Sequence, residues 1–174
     1  MMGALVFAEA LFSEGKYAQK IPVYGGERRG GSVTVYLRID DKPIRRNCGI
    51  YEPDGIVVLD PLIPKLENVT SGLKRGGIAV LNDTRTPQEV NLGVELSKIA
   101  TVDATGISTQ LFGERAIPIT NTTMLGALSR ATGWVKFESL VEPIKRTFPG
   151  KIGDSNVQAA QLGYERVKVM DRKV

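Results

Sequence analysis

The first helix is predicted by an unbroken apolar pattern near the start of the chain. Between residues 2 and 12 the only charged residue is Glu9, and alanine and leucine, which are strong helix formers, recur throughout. A helix that is apolar almost all round is expected to be buried. Gly15 follows closely, and a glycine just past a helix end favours the left-handed conformation that stops the helix.

Three short apolar runs in the middle of the chain predict strands of a buried sheet. They are residues 55–60, 77–82 and 98–103, and each run ends in an acidic or amide residue. Runs of this kind are typical of parallel strands that are buried on both faces and joined by crossovers. We therefore expect an α/β fold with three layers, α/β/α, and a largely parallel, mixed sheet. We place residues 1–174 in a single domain.

A hairpin is expected before these runs. Residues 33–39 are rich in β-branched side chains and predict a strand. The turn at residues 40–43 leads to a second extended run at residues 44–50, so the simplest expectation is that these two runs pair.

The last third of the chain predicts helices. Asn121 is expected to cap a helix that ends at Gly133. A second helix is expected around Pro143, which should delay its start or kink it. Asp154 or Ser155 is expected to cap a final helix.

Composition excludes several kinds of site. The chain has no histidine and one cysteine, Cys48, which removes the usual zinc sites, cysteine-ligated iron–sulfur clusters and imidazole triads. An unpaired cysteine fits a reducing cytoplasm, and we expect Cys48 to be buried and structural. No apolar run is long enough to span a membrane. The net charge of +4 suits an anionic ligand, an acidic partner or nucleic acid, and decides little alone.

The most informative segment joins the first helix to the strand at residues 33–39. It reads YAQKIPVYGGERRGG, and its glycines lie on both sides of an acidic residue and two arginines. Glycine amides approach ligands closely, and arginine forks match phosphate or carboxylate oxygens. One interpretation is an anionic cofactor site; the other is a pair of tight turns with a surface ion pair. A nucleic-acid site is disfavoured, because one arginine pair is a small basic cluster. The candidate cofactor-binding residues are Tyr24, Gly25, Gly26, Glu27, Arg28, Arg29 and Gly30.

Three further positions each have two interpretations. Asn121 and Thr122 open a predicted helix, where free amides would hold an anion or Asn121 would be a plain cap. Asp60 follows a strand, either as part of a ligand site or as a turn former. Trp134 is either an interface anchor or a core residue.

The segment YAQKIPVYGGERRGG resembles the YAQ-x-x-P-x-(Y/F)-G-x-ERRG segment of gamma subunits in the 2-oxoacid:ferredoxin oxidoreductase family, which includes pyruvate synthase. Further blocks follow in the family's order, so the resemblance spans nearly the whole chain. They are RIDDKPI at 38–44, YEPD at 51–54, VLDP at 58–61, GLK at 72–74, VDAT at 102–105, PITNTTMLGA at 118–127 and FPGK at 148–151. Family members usually begin with a strand and a glycine-rich loop. This sequence starts inside the following helix, so the resemblance implies that this element is lacking or supplied by a partner.

The resemblance implies a role in a multi-subunit enzyme. Such complexes decarboxylate a 2-oxoacid oxidatively with coenzyme A and pass electrons to ferredoxin or another acceptor. Thiamine diphosphate with Mg and [4Fe-4S] clusters are expected on alpha, beta and ferredoxin-like delta subunits or fused equivalents, and none on this chain alone. The gamma subunit is expected to be cytoplasmic, inactive alone and involved in handling coenzyme A.

Two roles for the glycine-flanked segment follow from the resemblance. Glu27, Arg28 and Arg29 either line the active-site interface, with an arginine on coenzyme A phosphates, or lock gamma onto alpha through ion pairs. In the second case the chain is a purely structural subunit that contacts no cofactor. Neither role requires nucleic acid or a membrane span.

Overall fold

A computed structural model describes residues 2–23 and 33–172. Helices and strands are interspersed along these residues. In chain order the elements are α1 (Met2–Ser13), β1 (Tyr17–Val23), β2 (Thr34–Asp40), β3 (Gly55–Val58), α2 (Ile63–Leu66), β4 (Gly77–Asn82), β5 (Leu96–Val102), α3 (Ala104–Phe112), α4 (Asn121–Thr132), α5 (Phe137–Thr147), α6 (Lys151–Arg166) and β6 (Lys168–Asp171).

The main sheet has four strands in the order β3-β4-β5-β6. β3, β4 and β5 are parallel, and β6 pairs antiparallel with β5. The predicted α/β class with a largely parallel, mixed sheet is therefore confirmed. The three apolar runs became the three parallel strands, because strands covered on both faces need continuous apolar sequence.

Each face of the sheet carries its own hydrophobic core. On one face Val80, Ala100 and Val102 pack under the five longer helices. On the other face the alternate residues Leu81 and Ile99 belong to a smaller core, as period-two strand geometry requires. The layer over this second core consists of the one-turn helix α2 and the connections between strands, so it is thinner than the first.

The first helix is buried on one side. Its residues Val6 and Leu11 are fully enclosed, as the apolar pattern predicts. Gly15 has φ of 78°, which stops the helix where expected. Met2, Leu5 and Phe12 nevertheless keep large exposed fractions, so the helix has one uncovered apolar stripe.

The predicted hairpin between residues 33–39 and 44–50 is wrong. β2 pairs antiparallel with β1, with Tyr17 opposite Asp40 and Val23 opposite Thr34. Residues 44–50 form no regular structure, because three of their carbonyls accept hydrogen bonds from a side chain of β2 and not from a neighbouring strand. β1 escaped prediction because a proline and polar residues interrupt its pattern.

The expectation that Cys48 is buried is also wrong. Cys48 is exposed. It belongs to the irregular residues 44–50, which lie over the outer face of the hairpin and contribute no buried residue to either core.

The helix starts differ from the predictions. Thr120 and not Asn121 occupies the N-cap of α4, without a side-chain cap. α5 starts at Phe137 and runs through Pro143, so the expected late start does not occur.

Neither Asp154 nor Ser155 caps the final helix, because α6 starts at Lys151. Gly150, with φ of 66°, reverses the chain just before it. The Gly150 carbonyl accepts hydrogen bonds from the N–H groups of Gly153 (2.9 Å) and Asp154 (3.3 Å). Backbone geometry therefore begins this helix one turn before the expected caps.

α4 and α6 pack backbone against backbone. A Cβ atom on Gly126 would overlap the carbonyl oxygen of Ala160, and one on Gly163 would overlap that of Thr123. Only glycine at these two positions allows the helices to approach so closely.

Replacing Gly126 with alanine should lower the free energy of unfolding by about 3 kcal/mol, because the new methyl group meets backbone that cannot rotate away. Gly3→Ala is the matched control. Gly3 is also helical, but its nearest neighbour would be the Asn121 Cβ at an ordinary 3.7 Å, so this variant should be neutral or slightly more stable. Denaturant unfolding of the purified chain measures both, and equal losses would contradict the close packing of α4 and α6.

Candidate functional site

The carboxyl ends of the parallel strands form the edge of the sheet where α/β proteins commonly bind ligands. A polar residue stands at the end of each strand. Asp60 follows β3, Asn82 ends β4 and Asp103 follows β5. Each of these three side chains has identifiable hydrogen-bond partners.

Asn82 ties two elements together at this edge. Its Nδ2 donates to the Leu59 carbonyl (2.8 Å) and to Thr105 Oγ1 (3.0 Å). Its Oδ1 accepts from the N–H groups of Ala104 (3.0 Å) and Thr105 (3.3 Å). Asn82 is 3% exposed, and its side-chain amide holds the end of β3 and the start of α3 together.

The carboxylates of Asp103 and Asp60 accept hydrogen bonds from nearby backbone N–H groups. Asp103 caps α3 by accepting the N–H of Gly106 at 2.7 Å. Asp60 Oδ1 accepts the N–H of Leu62 at 2.8 Å, which matches the turn-former interpretation. The sequence pattern placed polar residues at this edge but did not reveal the structural roles of Asn82 and Asp103.

The N-terminal turns of α1 and α4 meet beside the end of β3. A Cβ on Gly3 would lie 3.7 Å from the Cβ of Asn121. Thr120 Oγ1 lies 3.5 Å from the Leu59 carbonyl, to which it donates. Helix N-termini carry partial positive charge and free amides, so this corner favours negative charge.

The predicted residues Asn121 and Thr122 differ in their surroundings. Asn121 is partly exposed, and its Oδ1 accepts the N–H of Thr122 at 2.9 Å. Thr122 is fully buried, and its hydroxyl donates to Asn156 Oδ1 of α6 at 2.9 Å. Asn121 therefore faces the corner, while the Thr122 hydroxyl joins α4 to α6.

The remaining predicted site residues lie outside the described part of the chain. They are Tyr24, Gly25, Gly26, Glu27, Arg28, Arg29 and Gly30. The described residues that flank them are Val23 and Val33, and Val23 pairs with Thr34 at the distal end of the β1–β2 hairpin.

A shallow polar cleft of about 400 Å³ lies at the ends of β4 and β5. Arg85 and Asp83 pair within it at 2.7 Å, and this hydrogen-bonded ion pair lowers the pKa of Asp83. Arg166 donates to Gln110 Oε1 at 3.1 Å, and Lys168 completes the basic lining. The cleft thus carries charges of both signs, of which Asp83 and Arg85 already form an ion pair.

Trp134 contributes to the core of the domain. The residue is partly buried and packs against the larger hydrophobic cluster. A Cβ on Gly55 would lie 3.0 Å from the edge of the indole ring. Of its two interpretations, a core residue matches this position.

Residues 2–23 and 33–172 contain neither a metal-ligating cluster nor a membrane-spanning helix. No group of three or more His, Cys, Asp or Glu side chains there could hold a metal ion. No helix in the same residues is long and apolar enough to cross a membrane. The single cysteine of the sequence cannot supply the thiolates of a [4Fe-4S] cluster.

Comparisons with known proteins match nearly the whole chain. The family model described as pyruvate ferredoxin/flavodoxin oxidoreductase covers residues 2–166. The chain is 49% identical over 170 residues to the Thermococcus litoralis "Pyruvate/ketoisovalerate oxidoreductases common subunit gamma", which covers 97% of this chain and 90% of that protein. It is 47% identical over 165 residues to "Pyruvate synthase subunit PorC" of Methanothermobacter marburgensis, covering 95% and 89%.

A solved structure supports the same relationship. The Thermotoga maritima pyruvate oxidoreductase subunit PORC superposes with a TM-score of 0.79 at 34% identity. The superposition covers 97% of this chain and 90% of the Thermotoga chain, so both the fold and the sequence pattern are shared along their length.

Replacing Asn82 with alanine should lower the free energy of unfolding by about 2 to 3 kcal/mol, because the buried N–H of Ala104 and the carbonyl of Leu59 lose their partner. Asn91→Ala, at an exposed position with one local hydrogen bond to Gly93 N–H, is the control and should lose less than about 1 kcal/mol. Denaturant unfolding compares the two variants. A similar small loss in both would show that Asn82 does not organise this edge.

Proposed function

The chain belongs to the pyruvate ferredoxin/flavodoxin oxidoreductase family as a gamma-type subunit, and from that premise we propose that it handles coenzyme A in a cytoplasmic complex. The complex oxidises a 2-oxoacid such as pyruvate. The bond between C1 and C2 breaks, carbon dioxide leaves, coenzyme A takes the acyl group as a thioester, and two electrons pass to ferredoxin or a similar acceptor. Residues 1–174 form one domain of this assembly.

Other subunits hold the redox and carbanion chemistry. Thiamine diphosphate with Mg stabilises the carbanion when bound, and [4Fe-4S] clusters carry the electrons. This chain offers no histidine and a single cysteine, so its own sequence does not fit a cluster site. The expected holders are the alpha, beta and ferredoxin-like delta subunits or fused equivalents, and the chain alone is inactive.

The observation that carries the proposal is the near-complete match to gamma subunits at almost half identity. Structure adds support at one end of the molecule. The N-terminal turns of α1 and α4 provide an electropositive corner next to Asn121. After the reversal at Gly15, β1 packs back against α1, which directs Val23 toward the same end as that corner.

We assign the anion contacts to the segment between β1 and β2. Arg28 and Arg29 bring rigid forks that match phosphate oxygens, and Gly25, Gly26 and Gly30 allow close approach of the backbone. The phosphates of coenzyme A are the anions that the proposed reaction supplies. The N-terminal turn of α4 at Asn121 and Thr122 adds the partial positive charge of a helix N-terminus to the proposed site, although the Thr122 N–H is already bonded to Asn121 Oδ1.

A purely structural role is the second candidate. It is favoured by the uncovered apolar stripe of α1, in which Met2 is 47%, Leu5 43% and Phe12 55% exposed. Such a stripe is typical of a surface that packs against another subunit. In this case Glu27, Arg28 and Arg29 would pair with an alpha subunit and leave coenzyme A untouched.

Replacing Arg28 and Arg29 together with alanine should raise the KM for coenzyme A at least tenfold in the purified complex, because one charge-assisted hydrogen bond contributes about 1.5 to 3 kcal/mol. Lys74→Ala/Arg75→Ala is the matched control. It removes another adjacent pair of basic residues, with both side chains exposed, and should leave the KM unchanged.

Initial rates against coenzyme A concentration separate the two candidates. An unchanged KM in an intact complex of the Arg28/Arg29 variant would refute the coenzyme A role. Poor assembly with a normal KM in the complex that remains would support the structural role instead.

A further inference from the structure

The shallow cleft at the ends of β4 and β5 contains a buried hydroxyl without a protein partner. Thr101 lines the cleft and is 1% exposed, and nothing in residues 2–23 and 33–172 forms a hydrogen bond with its Oγ1. Ile99 lies on the same face of β5, where it belongs to the smaller core. Thr101 therefore stands where that core ends and the cleft begins.

A buried hydroxyl without a partner lowers the stability of a fold. It loses its hydrogen bonds to water on folding and gains none in return, so a valine of nearly the same shape would be more stable in this position. A bound ligand or a bound water that forms a hydrogen bond here removes this cost. The charge of the cleft decides which kind of partner fits.

Three basic side chains from separate parts of the chain line the same cleft. They are Arg85, which follows β4, Arg166 at the end of α6 and Lys168 at the start of β6. Lys168 stands directly opposite Thr101 in the antiparallel register, so both side chains point to one face of the sheet. Cations and a hydroxyl that line one concave surface favour an anion.

The two carboxylates of the cleft already have donors. Asp83 accepts hydrogen bonds from Nε and Nη2 of Arg85, and Asp103 accepts a backbone N–H of α3 at 2.7 Å. Arg166 and Lys168 form no ion pair with any residue in the described part of the chain. The lining therefore keeps an excess of positive charge.

We propose that this cleft binds a phosphate group, and this inference does not depend on the function proposed above. Phosphate oxygens accept hydrogen bonds from several directions at once, and the four donor side chains stand on separate stretches of the chain. The volume of about 400 Å³ lies in the range of small-molecule sites. The phosphate is either free or carried by a nucleotide-like ligand.

Titration of the full-length chain with inorganic phosphate at constant ionic strength tests the proposal. The chain carries Arg28→Ala and Arg29→Ala throughout, so that the segment between β1 and β2 contributes no arginine. Amide chemical shifts measured by NMR report both the Kd and the place of binding. We expect the largest shifts at Thr101, Gly106 and Lys168, which line the cleft.

Thr101→Val removes the hydroxyl and keeps the shape of the side chain. In the absence of ligand this variant should resist denaturant better than its parent, while its Kd for phosphate should rise about three- to tenfold, the loss of one hydrogen bond. Thr123→Val is the matched control. Thr123 Oγ1 is also buried without a described partner, but Thr123 packs against Gly163 of α6 and does not line the cleft. This control should gain stability and keep the same Kd.

Lys168→Met keeps the length of the side chain and removes its charge. The Kd for phosphate should rise about tenfold, as expected for the loss of one charge-assisted hydrogen bond. Lys145→Met is the control, and its Kd should not change. Lys145 is half exposed and lies beside Asp154 in the first turn of α6, at the other end of that helix from Arg166.

A second titration with ADP distinguishes the two sources of the phosphate. Tighter binding of ADP than of inorganic phosphate, with the same loss in Thr101→Val, supports a nucleotide-like ligand in the cleft. Tighter binding of inorganic phosphate supports a free phosphate there.

Three results would overturn the proposal. One is the absence of shifts at the cleft residues with either probe at millimolar concentration. Another is an equal Kd in Thr101→Val, Lys168→Met and their parent. The third is a Thr101→Val variant that is less stable than its parent without ligand, because the hydroxyl then has a partner within the fold. Since the parent lacks Arg28 and Arg29, each of these results leaves the coenzyme A role untouched.

Discussion

The backbone contact between α4 and α6 is the constraint on which the helical face depends. Gly126 and Gly163 bring the two helices closer than any side chain would allow. The hydrogen bond from Thr122 to Asn156 fixes the same pair at the N-terminal turn of α4. The N-terminal turn of α4 lies at the end of β3. The packing of α4 on α6 therefore determines where the electropositive corner of the domain lies.

The β1–β2 hairpin is a separate unit attached to this framework. It does not join the main sheet; α1 contacts one of its faces, and the irregular residues 44–50 contact the other. An attached ribbon is well suited to present a short ligand-binding segment, because a rigid scaffold positions it.

The elements that depend on a local sequence pattern were predicted correctly, and those that depend on distant segments were not. β4 was predicted with the bounds that the structure has, because its four middle residues, 78–81, all pack in one core or the other. β1 was missed because Pro22 and Lys20 obscure its pattern, and its pairing with β2 depends on a chain reversal that periodicity does not reveal. α6 starts early because a backbone turn at Gly150 begins it, which no capping side chain signals. Asn82 and Asp103 were not singled out, since their roles depend on segments far along the chain.

The candidate site was also predictable only where it depends on local sequence. The glycine-flanked arginines stand out by composition alone, but their chemistry did not distinguish a ligand site from tight turns. The resemblance to gamma subunits implied the function that this chemistry left open. Asn121 was found as a helix start, and the structure places it at the corner beside α1. The buried hydrogen bond from Thr122 to Asn156 could not be predicted from sequence, because it arises from the packing of two helices whose bonded residues are more than 30 positions apart.

Affinity purification of the tagged chain from its host, followed by an assay of coenzyme A-dependent 2-oxoacid oxidation, tests the central claim most directly. The account predicts that thiamine-binding and iron–sulfur subunits co-purify with the chain and that the preparation oxidises a 2-oxoacid only when coenzyme A is present. A folded chain that purifies alone, without such subunits and without this activity, would contradict its assignment as a gamma subunit.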